Sequence, residues 1–462
     1  MELQDVALHR RNKWTFSVGT IGRDMIYTFM AMYLPFYLSD IVDLPEDVLA
    51  WVAGLMLFTR LVDAVLDIGM GSIVDNTRTR WGHYKPWILG GVVASAAFTL
   101  LVFSDLGLNG VAFIVVFELI YLGWSLSWTA NDIPYWSLLP AFTLDQKRRE
   151  QIGSLAKFFA SIGQFSVAVA VIPVTKDVLT PLIGAKAAWF VFAAAIVLIM
   201  LLGQCVTLVG TKVPTLIVDQ QRVRVRDLAG VVFRNDQLMW TTLAMVMFMT
   251  GYTTTVTFGT YFFKYVMLNE DLYSPFAAVL GVSQLTGFLI FPLLRRRFTR
   301  RFLYTCATGL IVAGYAVFFL SSDIVPIGVA ALLIFLGAAF VIALMLVFLT
   351  DTIDYGHWKF GHRNTAATFA LQPFINKVGA ALSAGFVAWI VIVSGISHNT
   401  DTPQNVTADG RLTLRLAMLV LPLVLVVAGY VIYRTKYRID ETFHAQIISD
   451  LRDRGQLVED LR

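Results

Sequence analysis

Apolar side chains run along this chain in stretches of about 20 residues separated by short polar connections, the length an α-helix needs to cross the hydrocarbon core of a bilayer. Read run by run, the pattern predicts helices over 14–38, 49–72, 86–104, 110–139, 153–175, 186–209, 237–267, 274–294, 302–320, 326–350, 366–396 and 412–434. Twelve spans place both termini on one side of the membrane, and the connections decide which side. One set holds Arg78, Arg80 and Lys85, then Lys147, Arg148 and Arg149, then Arg222, Arg224 and Arg226, then Arg295, Arg296, Arg297, Arg300 and Arg301; the other is nearly free of Lys and Arg, with Lys176, Lys186, Lys264 and Arg411 as the main exceptions. Excess positive charge marks the cytoplasmic face. Both termini are therefore expected in the cytoplasm, and the chain in the cell inner (plasma) membrane.

The pattern divides into a cytoplasmic N-terminal tail at 1–13, an N-terminal six-helix bundle at 14–209, a central cytoplasmic loop at 210–236, a C-terminal six-helix bundle at 237–434 and a cytoplasmic C-terminal tail at 435–462. The basic connection GSIVDNTRTRWGHYKPW, 71–87, has its counterpart in the second half in PLLRRRFTRR, 292–301. An all-α membrane protein of two such halves is the plan of the major facilitator fold, which holds substrate near the midplane between them.

Composition sharpens this picture. Of 462 residues, 57% are hydrophobic and 15% charged, against roughly a quarter charged in an ordinary soluble domain, so the solvent of this chain is lipid. The net charge of +4 comes from basic residues at helix ends, not from a single stripe, and predicts no nucleic-acid partner. Cys205 and Cys306 sit inside apolar runs, where a thiol reads as a small buried hydrophobe with no disulfide. The N-terminal MELQDVALHRRNKW has no small-residue cleavage site and reads as a tail, not a secretory signal. No cofactor fingerprint or nucleophile triad appears, so neither a cofactor nor an enzyme is expected. His357 and His362, in the connection after helix ten, read as solvated rather than as a metal site.

Charges inside the spans carry the candidate chemistry. One at the centre of a spanning helix costs about 2.5–3.5 kcal/mol on insertion scales and is by default a functional group. Arg23 and Asp24 fall near the middle of helix one, Arg60, Asp63 and Asp67 in helix two, Asp132 in helix four, Lys157 in helix five and Lys377 in helix eleven. Asp63 and Asp67 are four apart and share a helix face, with Arg60 one turn earlier. Two such carboxylates share a proton, hold a metal ion, or have a basic side chain between them; a structural network with Arg60 or Lys377 is the plainer alternative. In helix four, SWTANDIPYWSLLP puts Trp128, Asp132 and Trp136 at four-residue steps, with Thr129 on the same face. A carboxylate accepts hydrogen bonds from sugar hydroxyls while an indole faces the C–H side of the ring. Pro134 removes a backbone donor within that stretch and predicts a kink. Arg23 and Asp24 are adjacent and so point in different directions, which requires a separate partner for each.

These residues, in this order, resemble the glycoside-pentoside-hexuronide cation symporters, the melibiose-permease-like branch of the major facilitator superfamily. The motifs are IGRDM, RLVDAVLDIGMGSIVDNTRTRWGHYKPWIL, NDIPYWSLLPAFTLDQKRREQ, AKFFAS, RNDQL and DTIDYGHWK, and the likeness spans nearly the whole chain. It implies that Asp24 and Asp132 accept sugar hydroxyls, that Trp128 and Trp136 line the ring, and that Arg23 and Lys157 join the substrate site. It also implies a cation site of Asp63, Asp67 and Thr129 near Lys377, and a gate of Asp351, Asp354 and Arg363. Lys157 stands where the family commonly has arginine, Leu66 where sodium-coupled members tend to have asparagine, and Ile342 where some carry tryptophan. Leucine offers sodium no side-chain ligand, so proton coupling is favoured over sodium, and the identity of the sugar does not carry over.

The expectation is a cation-coupled symporter of a sugar or glycoside working by alternating access, with H+ or Na+ as coupling ion and bilayer lipid around it. A regulatory partner is expected, if anywhere, on the cytoplasmic loops. The rival readings are a transporter of a non-sugar amphipathic solute or lipid, against which the midplane acids argue, and a non-transporting membrane sugar sensor, for which the C-terminal tail offers no signalling domain.

Overall fold

The computed structural model describes residues 2–143, 145–213, 215–217, 234–269, 272–321, 323–394, 406–456 and 458–460. Each predicted apolar run becomes helix. In chain order these are α1 Glu2–Val18, α2 Thr20–Thr28, α3 Leu34–Phe36, α4 Glu46–Asn76, α5 Lys85–Val102, α6 Gly110–Phe142, α7 Gln146–Ile172, α8 Thr180–Ile183 and α9 Ala185–Gly210. There follow α10 Asp236–Tyr261, α11 Tyr273–Arg295, α12 Arg300–Leu320, α13 Ile324–Phe360, α14 Thr365–Phe369, α15 Leu371–Val393, α16 Ala408–Lys436 and α17 Glu441–Asp453. Helix one is a single run from Glu2 to Ile41 in which Phe29–Tyr33 and Tyr37–Ile41 widen to π-helical turns. Pro35 and Pro173 adjoin such turns, because a ring nitrogen cannot donate the regular bond to the residue four before it. α6 nonetheless runs unbroken through Pro134 and Pro140.

Among the described residues, nine helices are long and apolar enough to cross a membrane. The other three predicted spans lie in Glu2–Ile41, Glu46–Asn76 and Asp236–Val266. The first two of these hold Arg23, Asp24, Asp63 and Asp67, so charge itself lowers their apolar character.

The chain packs as two compact units, one of Met1–Leu228, Asn364–Ala370 and Gly455–Arg462, the other of Ala229–Arg363 and Leu371–Arg454. In the first, α2 lies against α7 and α9. Gly22 and Gly163 permit that approach, since a β-carbon on either would run into the backbone at Met200 or Ile21. Phe29 stacks on Phe103 and Trp189, with ring centroids 4.3 and 5.7 Å away, within this core. α14 packs on α4 and α6, and Ala367 N donates to Asp75 Oδ2 at 3.0 Å. In the second unit α13 is apolar on every side and accordingly buried, flanked by α11 and α12, while α10 packs on α15 and α16.

Five expectations change. α13 continues ten residues beyond the end of the apolar run at 350, so Asp351, Asp354 and His357 are helical and buried; His357 is not a solvated loop residue. The side chains of Cys205 and Cys306 are exposed on outward helix faces rather than buried, and both thiols are free. The N-terminal tail is helical from Glu2. The C-terminal tail carries α17, which packs on α13. One strand pair, β1 Thr215–Ile217 antiparallel to β2 Val458–Asp460, interrupts the all-helical plan. The Arg60 side chain and most of the central loop, with Arg222, Arg224 and Arg226, lie outside the described residues.

α17 starts on a built cap. Asp440 Oδ1 accepts from Phe443 N at 2.8 Å and from the Thr442 hydroxyl at 2.7 Å. The Phe443 amide holds the Asp440 carboxyl below its ordinary range. A depressed carboxyl contributes stability in full above the ordinary aspartate value of about 4 and loses it as pH falls through the lower folded value. Asp440→Ala is expected to cost about 1 kcal/mol, read as faster amide hydrogen exchange across α17 at neutral pH, with the difference from wild type vanishing once Asp440 is protonated.

Candidate functional site

α2, α6 and α7 carry the residues of the first unit that the sequence predicts for the substrate site. Arg23, 2% exposed, forms an ion pair with Asp132 of α6. Its guanidinium lies 4.3 Å from the ring centroid of Tyr135, 5.4 Å from that of Trp128 and 5.8 Å from that of Trp136. The four-residue steps of α6 build this wall, because Trp128, Asp132 and Trp136 follow one another along a single helix face. Tyr135 is fixed from behind, its hydroxyl donating to the Phe16 carbonyl and its ring stacking on Phe16. The Nε and Nη1 groups of Arg23 are buried with no hydrogen-bond partner among the described residues.

Two further charges border this pair. Lys157 of α7 places Nζ 4.5 Å from the centroid of the Trp136 ring, a cation–π contact. Asp24 is half-buried within electrostatic reach of Arg23, Lys157 and Asp132. Among the described residues neither Asp24 nor Lys157 makes a hydrogen bond, and neither has an ion-pair partner within 4 Å. The outcome is a committed pair, an uncommitted acid, an uncommitted base and two indole faces on adjoining helices. Chemically, that set can accept and donate hydrogen bonds around a polyhydroxylated ring while offering it flat apolar contact.

The acids of α4 meet hydroxyls of α6. Asp63, 4% exposed, accepts from Ser125, and Thr129 Oγ1 donates to Asp67 Oδ1 at 2.8 Å. One turn before Asp63, Thr59 donates to Glu118 of α6, whose Oε2 is buried without a hydrogen-bond partner among the described residues. The α4–α6 interface is thus a ladder of hydroxyl–carboxylate rungs at Thr59–Glu118, Ser125–Asp63 and Thr129–Asp67. Leu66, between the two acids in sequence, is 40% exposed. Lys377 lies half-buried in α15 of the second unit.

The expected gate residues form a buried charge cluster within the second unit. Arg300 is ion-paired with Asp351, and Arg363 Nη2 lies 3.2 Å from Asp354 Oδ1. His444 of α17 reaches between the acids, its Nε2 3.0 Å from Asp354 Oδ2 and 3.7 Å from Asp351 Oδ1, and the Tyr437 hydroxyl donates to Asp351 at 3.2 Å. Trp358 Nε1, donating to Asp450 Oδ2 at 2.9 Å, ties α17 to the end of α13.

Sequence reasoning missed Ser125, Glu118, Tyr135, Tyr27, Arg300, Tyr437 and His444. Glu118 carried a usable signal as one more acid inside an apolar run, and Ser125 lies four residues before Thr129 on the same face. Tyr27, which stacks on Trp128 with centroids 5.6 Å apart, and His444, on a short polar helix, carried none.

A lactose permease of Lactobacillus helveticus is 29% identical over 460 residues, covering 95% of this chain and 71% of the relative. A raffinose carrier protein of Pediococcus pentosaceus is 27% identical, covering 94% and 70%. The crystal structure of an E. coli fucose:proton symporter superposes with a TM-score of 0.67 over 94% of this chain and all of that one; at 14% identity this likeness concerns the fold. The family model described as MFS/sugar transport protein matches residues 15–441. With nearly its whole helical length matched, this multi-pass membrane chain belongs to the MFS/sugar transport protein family.

Proposed function

We propose that the chain is a cation-coupled symporter of a sugar or glycoside, working by alternating access, with the substrate held at Asp24, Asp132, Trp128, Trp136, Lys157 and Arg23 and the coupling ion at Asp63, Asp67 and Thr129. The observation that carries this reading is the uncommitted pair, Asp24 and Lys157, in the spanning part of the first unit. Holding two half-buried opposite charges in a spanning segment without joining them is costly, and the expense has a purpose if a passenger's hydroxyls complete both. The names of the relatives, lactose permease and raffinose carrier, support an oligosaccharide or glycoside as the passenger.

Proton coupling is the form we favour. Each α4 acid already faces one hydroxyl donor, and a proton needs only one carboxylate oxygen, whereas sodium needs several oxygen ligands and Leu66 supplies none. The Lys and Arg asymmetry of the connections supports cytoplasmic termini in an inner membrane.

The test is uptake into sealed vesicles under an imposed proton or sodium gradient, with labelled lactose, raffinose, pentosides and glucuronides. Uphill accumulation of at least one of them, driven by the proton gradient, is the expected result. Accumulation under sodium alone would reassign the ion, and no uphill movement of any sugar under either gradient would overturn the reading.

A further inference from the structure

Away from the acids and indoles, a groove of about 1070 Å³ opens on the first unit at the inner ends of α5 and α9, roofed by the connection 77–84. Its walls are apolar and face outward: Leu89 and Val93 on α5, Leu208 and Val209 on α9, with Val209 72% exposed. Its rim is basic, made by Arg80, Lys85 and Lys212, with His83 beside them, and no carboxylate lines it among the described residues. Lys85 is held in place by the end of α9, donating from Nζ to the carbonyls of Leu208 at 2.8 Å and Thr211 at 2.7 Å. Arg11 takes the neighbouring Gly210 carbonyl at 2.6 Å. A lysine has three donors, so one N–H of Lys85 is left after these bonds. His83 Nδ1 is buried without a hydrogen-bond partner among the described residues. Trp81, 65% exposed on the same loop, has the amphipathic ring characteristic of the headgroup level.

We propose that this groove is a binding site for an anionic phospholipid, an acyl chain lying along Leu89, Val93 and Val209 and the phosphate held by Arg80, Lys85 and Lys212. Two features select that occupant. A soluble anion has no use for an apolar wall several turns long, and a zwitterionic lipid brings no net charge to a rim that carries three cations and no acid. Basic pockets between helices at the cytoplasmic surface suit acidic lipid headgroups. The proposal leans on the orientation given above only for which leaflet supplies the lipid.

The test uses the purified full chain, delipidated in detergent and titrated with dioleoylphosphatidylglycerol, dioleoylphosphatidylcholine or inorganic phosphate, with bound lipid counted by native mass spectrometry. A single saturable phosphatidylglycerol site is expected, about tenfold tighter than for phosphatidylcholine. The Arg80→Gln/Lys212→Gln double variant is expected to remove that preference, and Val93→Trp to weaken both lipids by filling the wall. Sugar binding by the variants serves as the folding control, since neither change touches the α2, α6 and α7 residues. Equal binding of the two lipids, an unchanged preference in the double variant, or displacement of the lipid by inorganic phosphate would each overturn the proposal. None of those outcomes bears on sugar uptake.

Discussion

Asp132→Asn is expected to abolish sugar binding by the purified protein, lowering affinity by at least about 100-fold. Asparagine keeps the shape of the side chain but not its charge. Arg23 is almost fully buried and its guanidinium is compensated by Asp132. Breaking a buried pair by removing one partner typically costs about 3–5 kcal/mol, because the surviving charge is left uncompensated. A second acid, Asp24, lies within electrostatic reach of Arg23 and is otherwise uncommitted. A guanidinium drawn to Asp24 would occupy the second proposed sugar acceptor, so on this reading one substitution disables two positions. Calorimetric titration with sugar measures the loss, and a melting curve separates it from misfolding. The Arg23→Gln/Asp132→Asn double variant removes both charges and is expected to recover melting temperature without recovering binding. Full binding by that variant would make the pair scaffolding.

Asp63→Asn is expected to bring gradient-driven accumulation down to equilibration, with inside and outside sugar concentrations equal, while binding persists at reduced affinity. The carboxylate accepts from Ser125 and sits one turn from Asp67, which Thr129 engages separately. An amide preserves a hydrogen bond to Ser125 but cannot gain or lose a proton at neutral pH, nor offer a cation full charge. Reciprocity of coupling then removes the help that ion and sugar give each other, whichever binds first. Ser125→Ala is the milder companion: one hydrogen bond to a charged group is worth about 1.5–3 kcal/mol, so coupling weakens but survives. Full accumulation by Asp63→Asn would dissociate this acid from the coupling ion.

The helical framework was legible because the bilayer enforces it: an apolar run of spanning length has no alternative to helix, and most predicted ends fall close to the observed ones, the starts at 14 and 153 and the end at 350 excepted. Where the apolar run stopped short, at 350, hydropathy reported the loss of apolar character and not the end of the helix, so the last turns of α13 with Asp351, Asp354 and His357 read as connection. Spacing placed Asp63 with Asp67, and Trp128 with Asp132 and Trp136, since i and i+4 residues share a face on any helix. It said nothing about which helix they face. The Arg23–Asp132 pair joins residues 109 apart in sequence, and the packing of α2 on α7 and α9, close at Gly22 and Gly163, is equally invisible to spacing. His444 was hidden for a different reason: its helix is short and polar, and gains its place from contacts with α13 rather than from its own pattern.

The central claim is that ionisable side chains buried in the first unit serve a passenger and its driving ion. It is tested most directly by sugar affinity, titrated against pH and against sodium in wild type and in Asp63→Asn. The account predicts that wild-type affinity changes with one of the two ions and that the variant binds sugar with an affinity indifferent to both. An identical ion dependence in wild type and variant would contradict it.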